Sequence, residues 1–208
     1  MTFASDSFTN TDDTGLASHN AAWVRNSNFT ADIAVIKSNK LTGYVNAGST
    51  AYVRDAAASA DYEVSALITQ IDTNTSANAG LVARMTSTTP VGYMCRYRYN
   101  TGVQLFKLPN SVTAVQLGST VAGNLSNGGS MTLKLRCEGD QISVYKDGSL
   151  VIGPITDTAT TAANSPGIWI FGSGTIGCSI DNWDASYLSG GGSAIATISN
   201  HIARLRRA

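Results

Sequence analysis

Residues 137–151 read CEGDQISVYKDGSLV, and this stretch decides the fold class. Gly139-Asp140 and Asp147-Gly148 interrupt runs of apolar residues as two-residue turns. Glycine and aspartate accept the positive φ that tight hairpins demand, so both pairs join antiparallel strands. Upstream, Met131, Leu133, Leu135 and Cys137 alternate with Thr132, Lys134 and Arg136. Such period-two alternation marks strands with one buried and one wet face. Three successive antiparallel strands are the consequence.

The pattern extends in both directions. Within 61–70, Tyr62, Val64, Ala66 and Ile68 share one face and Glu63, Ser65 and Thr69 the other; Leu81, Ala83 and Met85 continue it after Gly80. Further strands are predicted at 33–37, 40–45, 49–54, 91–99, 103–108, 114–117, 167–171 and 175–188. So many short strands with no internal helix bury their edges by forming two packed sheets or a barrel. No repeat period points to a propeller or solenoid.

The 208 residues balance 14 Lys plus Arg against 14 Asp plus Glu, and only 13% are charged. A polybasic nucleic-acid binder is excluded by that balance, and a disordered chain by the 43% hydrophobic content. The start, MTFASD, has no basic or apolar leader, so Sec export is not expected. No run reaches the ~20 apolar residues of a membrane-spanning helix. Cys95, Cys137 and Cys178 each sit in an apolar run, which predicts buried thiols, with one disulfide plus a free thiol as the alternative. No close cysteine pair exists to hold zinc.

The C-terminus changes character. A body at 1–188 is followed by SGGGS at 189–193, a flexible linker by composition. In 194–208, Ile195, Ile198, Ile202 and Leu205 recur on one helical stripe, with Arg204, Arg206 and Arg207 in the last turn. The tail holds three of the 14 basic residues and no acidic one, leaving 11 against 14, a net of −3, in the body. A lone amphipathic helix of this length is marginal in water. It docks on its own sandwich or inserts into another protein or another copy of this chain; a membrane-surface helix is the third alternative, disfavoured by three arginines with no aromatic residue.

Residues able to carry catalysis are sparse. His19 precedes Trp23 in a loop, His201 lies in the tail, and neither has a nucleophile motif. The only glutamates, Glu63 and Glu138, have Asp61 and Asp140 two positions away but neither pair extends into an E-x-D-x-x-E run, and the odd spacing of Asp181 and Asp184 sends them to opposite faces of a strand. The paired carboxylates of a glycoside hydrolase are therefore not expected. Loop aspartates offer hard oxygen ligands, so a structural calcium at Asp6, Asp13 and Asp181 is the one inorganic cofactor considered, against ordinary turn chemistry.

One strand is chemically unusual. In VGYMCRYRYN at 91–100, Tyr93, Cys95, Tyr97 and Tyr99 share one face and Met94, Arg96 and Arg98 the other. Aromatic rings stack on sugars and guanidinium groups fork to hydroxyls or carboxylates. Arg96 and Arg98 are thus candidate ligand-binding residues, unless the tyrosines face the core and the arginines pair with acids across the strand. Trp23, Trp169 and Trp183 read as core anchors.

Motifs spread along the body carry a resemblance. DSFTNTDDTGLASHNAAW at 6–23 places Asp6 and Phe8 before a turn at Asp13 to Gly15, then Leu16, His19 and Trp23; SNKL at 38–41, AGLVAR at 79–84, YMCRYR at 93–98, the hairpin run at 134–148 and IDNWDA at 180–185 follow. In order, these resemble the strands of the concanavalin A-like lectin/glucanase jelly roll, specifically LamG-like modules of bacteriophage structural and bacterial surface proteins. The resemblance implies an all-β, two-sheet antiparallel jelly-roll sandwich, here followed by the Gly/Ser linker and amphipathic helix. It also implies binding or assembly rather than catalysis.

The expected function is a non-enzymatic virion structural protein, a head-decoration or tail-associated subunit at the virion surface. Its tail would attach it to other virion proteins or to copies of itself in a symmetric assembly. The alternative is a carbohydrate-binding module for a surface glycan, and a glycoside hydrolase is a remote third. Neither nucleic acid nor membrane is an expected partner.

Overall fold

A computed structural model of the chain describes residues 1–29, 31, 33–43, 48–73, 78–109, 113–162, 164–172 and 177–188. The predicted linker, the tail helix with Ile195, Ile198, Ile202, Leu205, Arg204, Arg206 and Arg207, and His201 lie outside the described residues. The elements run β1 (Thr2–Asp6), α1 (Leu16–His19), β2 (Val24–Arg25), β3 (Ala34–Lys37), β4 (Lys40–Gly43), β5 (Gly48–Val53), β6 (Tyr62–Gln70) and β7 (Asn78–Met85). They continue as β8 (Val91–Arg98), β9 (Gly102–Pro109), β10 (Val115–Val121), β11 (Ser130–Glu138), β12 (Gln141–Lys146), β13 (Ser149–Thr156), β14 (Ser165–Gly172) and β15 (Cys178–Tyr187). No helix among the described residues is long and apolar enough to cross a membrane.

Two antiparallel sheets form the sandwich. The eight-stranded sheet has the order β13-β12-β11-β6-β15-β4-β3, with β1 also paired to β15. The seven-stranded sheet has the order β10-β9-β8-β7-β14-β5-β2. The hairpin run behaves as its turns dictate: Glu138 pairs with Gln141 and Lys146 with Ser149. Asp147, Gly139 and Gly148 all take positive φ there. Every strand predicted from alternation is present. The N-terminal strand β1, which pairs Asp6 with Trp183 of β15, occupies what reads as loop in the sequence, and His19 ends a helical turn.

Alternation fills the space between the sheets. Tyr62, Val64, Ala66, Ile68, Leu133 and Leu135 of one sheet meet Leu81, Ala83, Tyr93, Cys95 and Leu105 of the other. Trp23 and Trp183 pack there edge to face, with ring centroids 4.8 Å apart. A second apolar layer lies on the outer side of the seven-stranded sheet, where Val82, Met94, Phe106 and Trp169 gather with Phe29. Trp169 is therefore an anchor of that outer layer rather than of the main core.

Two β-bulges correct the face assignments read from the sequence. Register slips between Gly167↔Val82 and Ser165↔Met85, and Arg84 has φ 54°. That extra residue turns Met85 to the outer layer and away from Leu81 and Ala83. In β15 the register slips between Asp181↔Leu67 and Asp184↔Ser65, around Asn182 at φ 48°. Leu67 and Ser65 are two apart on β6, so Asp181 and Asp184 share the outer face instead of opposing each other.

All three cysteines are free and buried. Burial pushes the Cys137 and Cys178 thiols up to about 12, and the Cys95 thiol higher still. A buried thiol with a raised pKa forms little thiolate and reacts slowly. None is expected to react with a disulfide reagent at pH 8 in the native protein, and all three should react after unfolding in denaturant, as thiol counting by absorbance will show.

Candidate functional site

The Arg/Tyr strand resolves as its alternation requires. Tyr93, Cys95 and Tyr97 of β8 are buried between the sheets, and Arg96 and Arg98 lie on the outer face. Among the described residues no acid pairs with Arg96. Instead its Nε and Nη2 donate to Oε1 of Gln104 at 3.1 and 3.0 Å, and its guanidinium lies 4.6 Å from the Phe106 ring centroid. Gln104 and Phe106 share a face because they alternate on β9, and register places Gln104 opposite Arg96. Burial, with the charge of Arg98, holds the Arg96 guanidinium below its ordinary value.

The arrangement continues across the edge of the sheet. Gln104 Nε2 donates to Gln116 Oε1 at 3.3 Å and to Thr120 Oγ1 at 3.2 Å, and Gln116 Nε2 donates to Thr120 Oγ1 at 3.1 Å. A polar ladder of Arg96, Gln104, Gln116 and Thr120 therefore crosses β8, β9 and β10, with its outer two members exposed. Amide and hydroxyl groups held in a row supply both donors and acceptors for the hydroxyls of a sugar chain. On the other side of Arg96, register runs to Gly80 and then Trp169. Any side chain at Gly80 would strike the Cys95 carbonyl and come 2.8 Å from Arg96 Cα, so glycine lets β7 approach β8 closely here. Trp169 is committed elsewhere: its indole Nε1 donates to Asn78 Oδ1 at 2.9 Å, and Phe29 packs edge to face against it.

Neither Gln104, Gln116 nor Thr120 is marked out by the sequence. Neutral amides on strands look like ordinary solvent-facing residues, and only the pairing of three strands aligns them. The alternation of Gln104 with Phe106 was the one available signal.

A concavity of about 530 Å³ lies where the end of β1 meets the bulge of β15, lined by Ser5, Asp6, Ser7, His19, Asn20, Asn182, Trp183 and Asp184. Its centre is a saturated network. Asp6 Oδ1 accepts from the Phe8 amide and lies 2.8 Å from His19 Nε2, while Oδ2 accepts from Trp23 Nε1 at 2.9 Å and Arg54 Nη1 at 3.3 Å. Burial alone would raise the Asp6 carboxyl. The hydrogen bonds from Trp23, His19 and Phe8, with the charge of His19, outweigh it and hold the group below its usual range. Asn10 occupies the other ring nitrogen of His19 at 3.2 Å. Both nitrogens are thus taken by groups other than a nucleophilic hydroxyl, and no Ser/His/Asp relay is assembled around His19.

The calcium expectation does not fit these residues. Asp6 spends both oxygens on the network above, Asp13 pairs with Lys37 at 2.9 Å, and Asp181 Oδ1 accepts the Asn182 amide at 2.7 Å. Among the described residues no group of three or more His, Cys, Asp or Glu side chains could hold a metal ion. The three aspartates serve turns, a bulge and a buried ion pair.

No family model matches the chain, and no curated protein matches it. Solved structures do. The carbohydrate-binding module CBM66 from Bacillus subtilis superposes with a TM-score of 0.63 at 20% identity, covering 79% of this chain and 95% of its own. The exoplasmic/lumenal domain of VIP36, in a calcium- and mannose-bound form, gives 0.60 at 10% identity over 84% and 86%. LamAcat from Zobellia galactanivorans gives 0.55 at 12% identity over 89% and 97%. These similarities are of fold.

Proposed function

On a concanavalin A-like jelly roll, we propose that this protein is a carbohydrate-binding module whose ligand lies on the outer face of the seven-stranded sheet, along Arg96, Gln104, Gln116 and Thr120. One observation carries the reading: a half-buried guanidinium, fixed by a neutral amide and an aromatic ring, opens onto an exposed ladder of hydroxyl and amide groups. The neighbours named as a carbohydrate-binding module and as a mannose-bound domain support it, and they favour it over the virion subunit. An attachment role for residues 194–208 complements the proposal, because a binding module works by tethering and the tail has the composition of a docking helix.

Binding without hydrolysis is the reading for the chemistry. LamAcat shares the fold, but the described strands of the seven-stranded sheet contain no Asp or Glu. Paired carboxylates cannot come from that face.

A glycan array read with the wild-type protein and an Arg96→Ala, Arg98→Ala pair tests the site. Losing the guanidinium contacts is expected to weaken binding by about tenfold or more, with an unchanged circular dichroism spectrum. A blank array, or binding untouched by the pair, would refute the proposal.

A further inference from the structure

We infer that the Arg96 face selects sugars that carry a carboxylate, uronic-acid glycans over neutral ones; this rests on the carbohydrate-binding reading above. The distribution of charge between the sheets is the first ground. The described strands of the seven-stranded sheet carry Arg25, Arg84, Arg96, Arg98 and Lys107 and no acid. The strand-borne carboxylates Asp6, Glu63, Glu138, Asp181 and Asp184 all lie on the other sheet. Arg84 is fully buried, and Lys107 pairs with Asp157 at 2.7 Å. On the outer face of β8 the charge of Arg96 meets no acid on either neighbouring strand, β7 or β9.

The second ground is the way Arg96 is held. Gln104 engages the Nε and Nη2 edge of the fork, and the Phe106 ring lies beside its plane. The Nη1 and Nη2 edge, which Gln104 does not use, has the geometry that matches two coplanar carboxylate oxygens. Because Gln104 is neutral, it fixes the guanidinium without cancelling its charge. Among the described residues Arg96 enters no salt bridge.

Repulsion between the two arginines is the third. They are two positions apart on one face, and the charge of Arg98 adds to burial in disfavouring the charged form of Arg96. A bound carboxylate relieves that repulsion, whereas a neutral sugar leaves it in place. Hydroxyls can bond to Gln116 and Thr120 whatever the sugar, so the arginines add preference rather than basic affinity.

Polygalacturonate and alginate, each compared with its own methyl ester, isolate the charge because backbone and linkage stay the same. By titration calorimetry the acid form of at least one polymer is expected to bind about tenfold or more tightly than its ester. Arg96→Gln should bring the acid form down to the ester's affinity. Lys134→Gln, on the opposite sheet, should leave the preference intact. Equal binding of acid and ester, a preference that survives Arg96→Gln, or an equal loss in Lys134→Gln overturns the inference. Binding of neutral glycans alone, lost on changing Arg96 to Ala, sinks the acidic preference but keeps the carbohydrate-binding reading. A blank result across acidic and neutral glycans removes both.

Discussion

Replacing Asp6 with alanine is expected to lower stability by about 3–5 kcal/mol, the usual cost of removing one partner from a buried charge pair. The Asp6 side chain is 6% exposed and those of Arg54 and His19 are 10% and 11% exposed, so water cannot readily replace the lost carboxylate. The substitution also strips the acceptor from Trp23 Nε1 inside the core. Arg54 would remain stacked over Trp23 and Trp183, 5.1 and 5.9 Å from their centroids, with its charge uncompensated. Urea unfolding should show a lower midpoint with an unchanged slope. The pH dependence has a definite sign. Because the folded-state pKa of Asp6 is depressed, its contribution is complete above its ordinary value of 3.8 and is lost as the pH falls through the depressed value. Asp6→Asn should flatten the acid limb of the stability profile as well as lowering it. A profile of unchanged shape would show that Asp6 does not govern acid stability.

Replacing Arg84 with methionine is expected to cost a similar amount, about 3–5 kcal/mol. Arg84 is fully buried, and its Nε and Nη2 donate to the Ala60 carbonyl at 3.0 and 2.9 Å. Nη1 donates to Thr160 at 2.9 Å, and Asp61 lies 3.6 Å away. One guanidinium thus satisfies the carbonyls of two loops that flank β7. Methionine fills most of the volume but leaves those carbonyls without donors, and each unsatisfied group costs about 1–3 kcal/mol. Lysine cannot fork to both loops, so Arg84→Lys should recover only part of the loss. A thermal melt of Arg84→Met within a degree or two of wild type would contradict this assignment.

Arg84 also marks where the sequence stops being legible. Strand identity was readable wherever side chains alternate, as at Tyr62 to Ile68 and Leu133 to Cys137, because a half-buried strand writes its two faces at every second residue. A bulge breaks that rule by one residue. Asn182 is a residue type that tolerates left-handed backbone, but the run IDNWDA does not show that it takes that conformation. Arginine in LVAR gives no warning at all. The consequences were misplaced faces for Met85 and for the Asp181 and Asp184 pair. β1 was missed for another reason. It is a short strand of five residues whose pairing with β15 spans nearly the whole chain, and local pattern carries no record of such a partner.

The candidate site divides along the same line. Arg96 and Arg98 were placed on the correct face by alternation within one strand. Their surroundings were not, because Gln104, Gln116 and Thr120 reach Arg96 only through the registers of β8 with β9 and β9 with β10. The acid-free character of the seven-stranded sheet is hidden for the same reason: its strands are scattered from Val24 to Gly172 and become one surface only on folding.

The central claim is the location of the ligand on that surface. Titrating isotope-labelled protein with the tightest-binding glycan, and following backbone and side-chain amide resonances, tests it most directly. Shifts concentrated at Arg96, Gln104, Gln116 and Thr120, absent in the Arg96→Ala, Arg98→Ala protein, are the predicted result. Shifts centred instead on Ser5, Ser7, Asn182 and Asp184, in the concavity beside the β15 bulge, would contradict it.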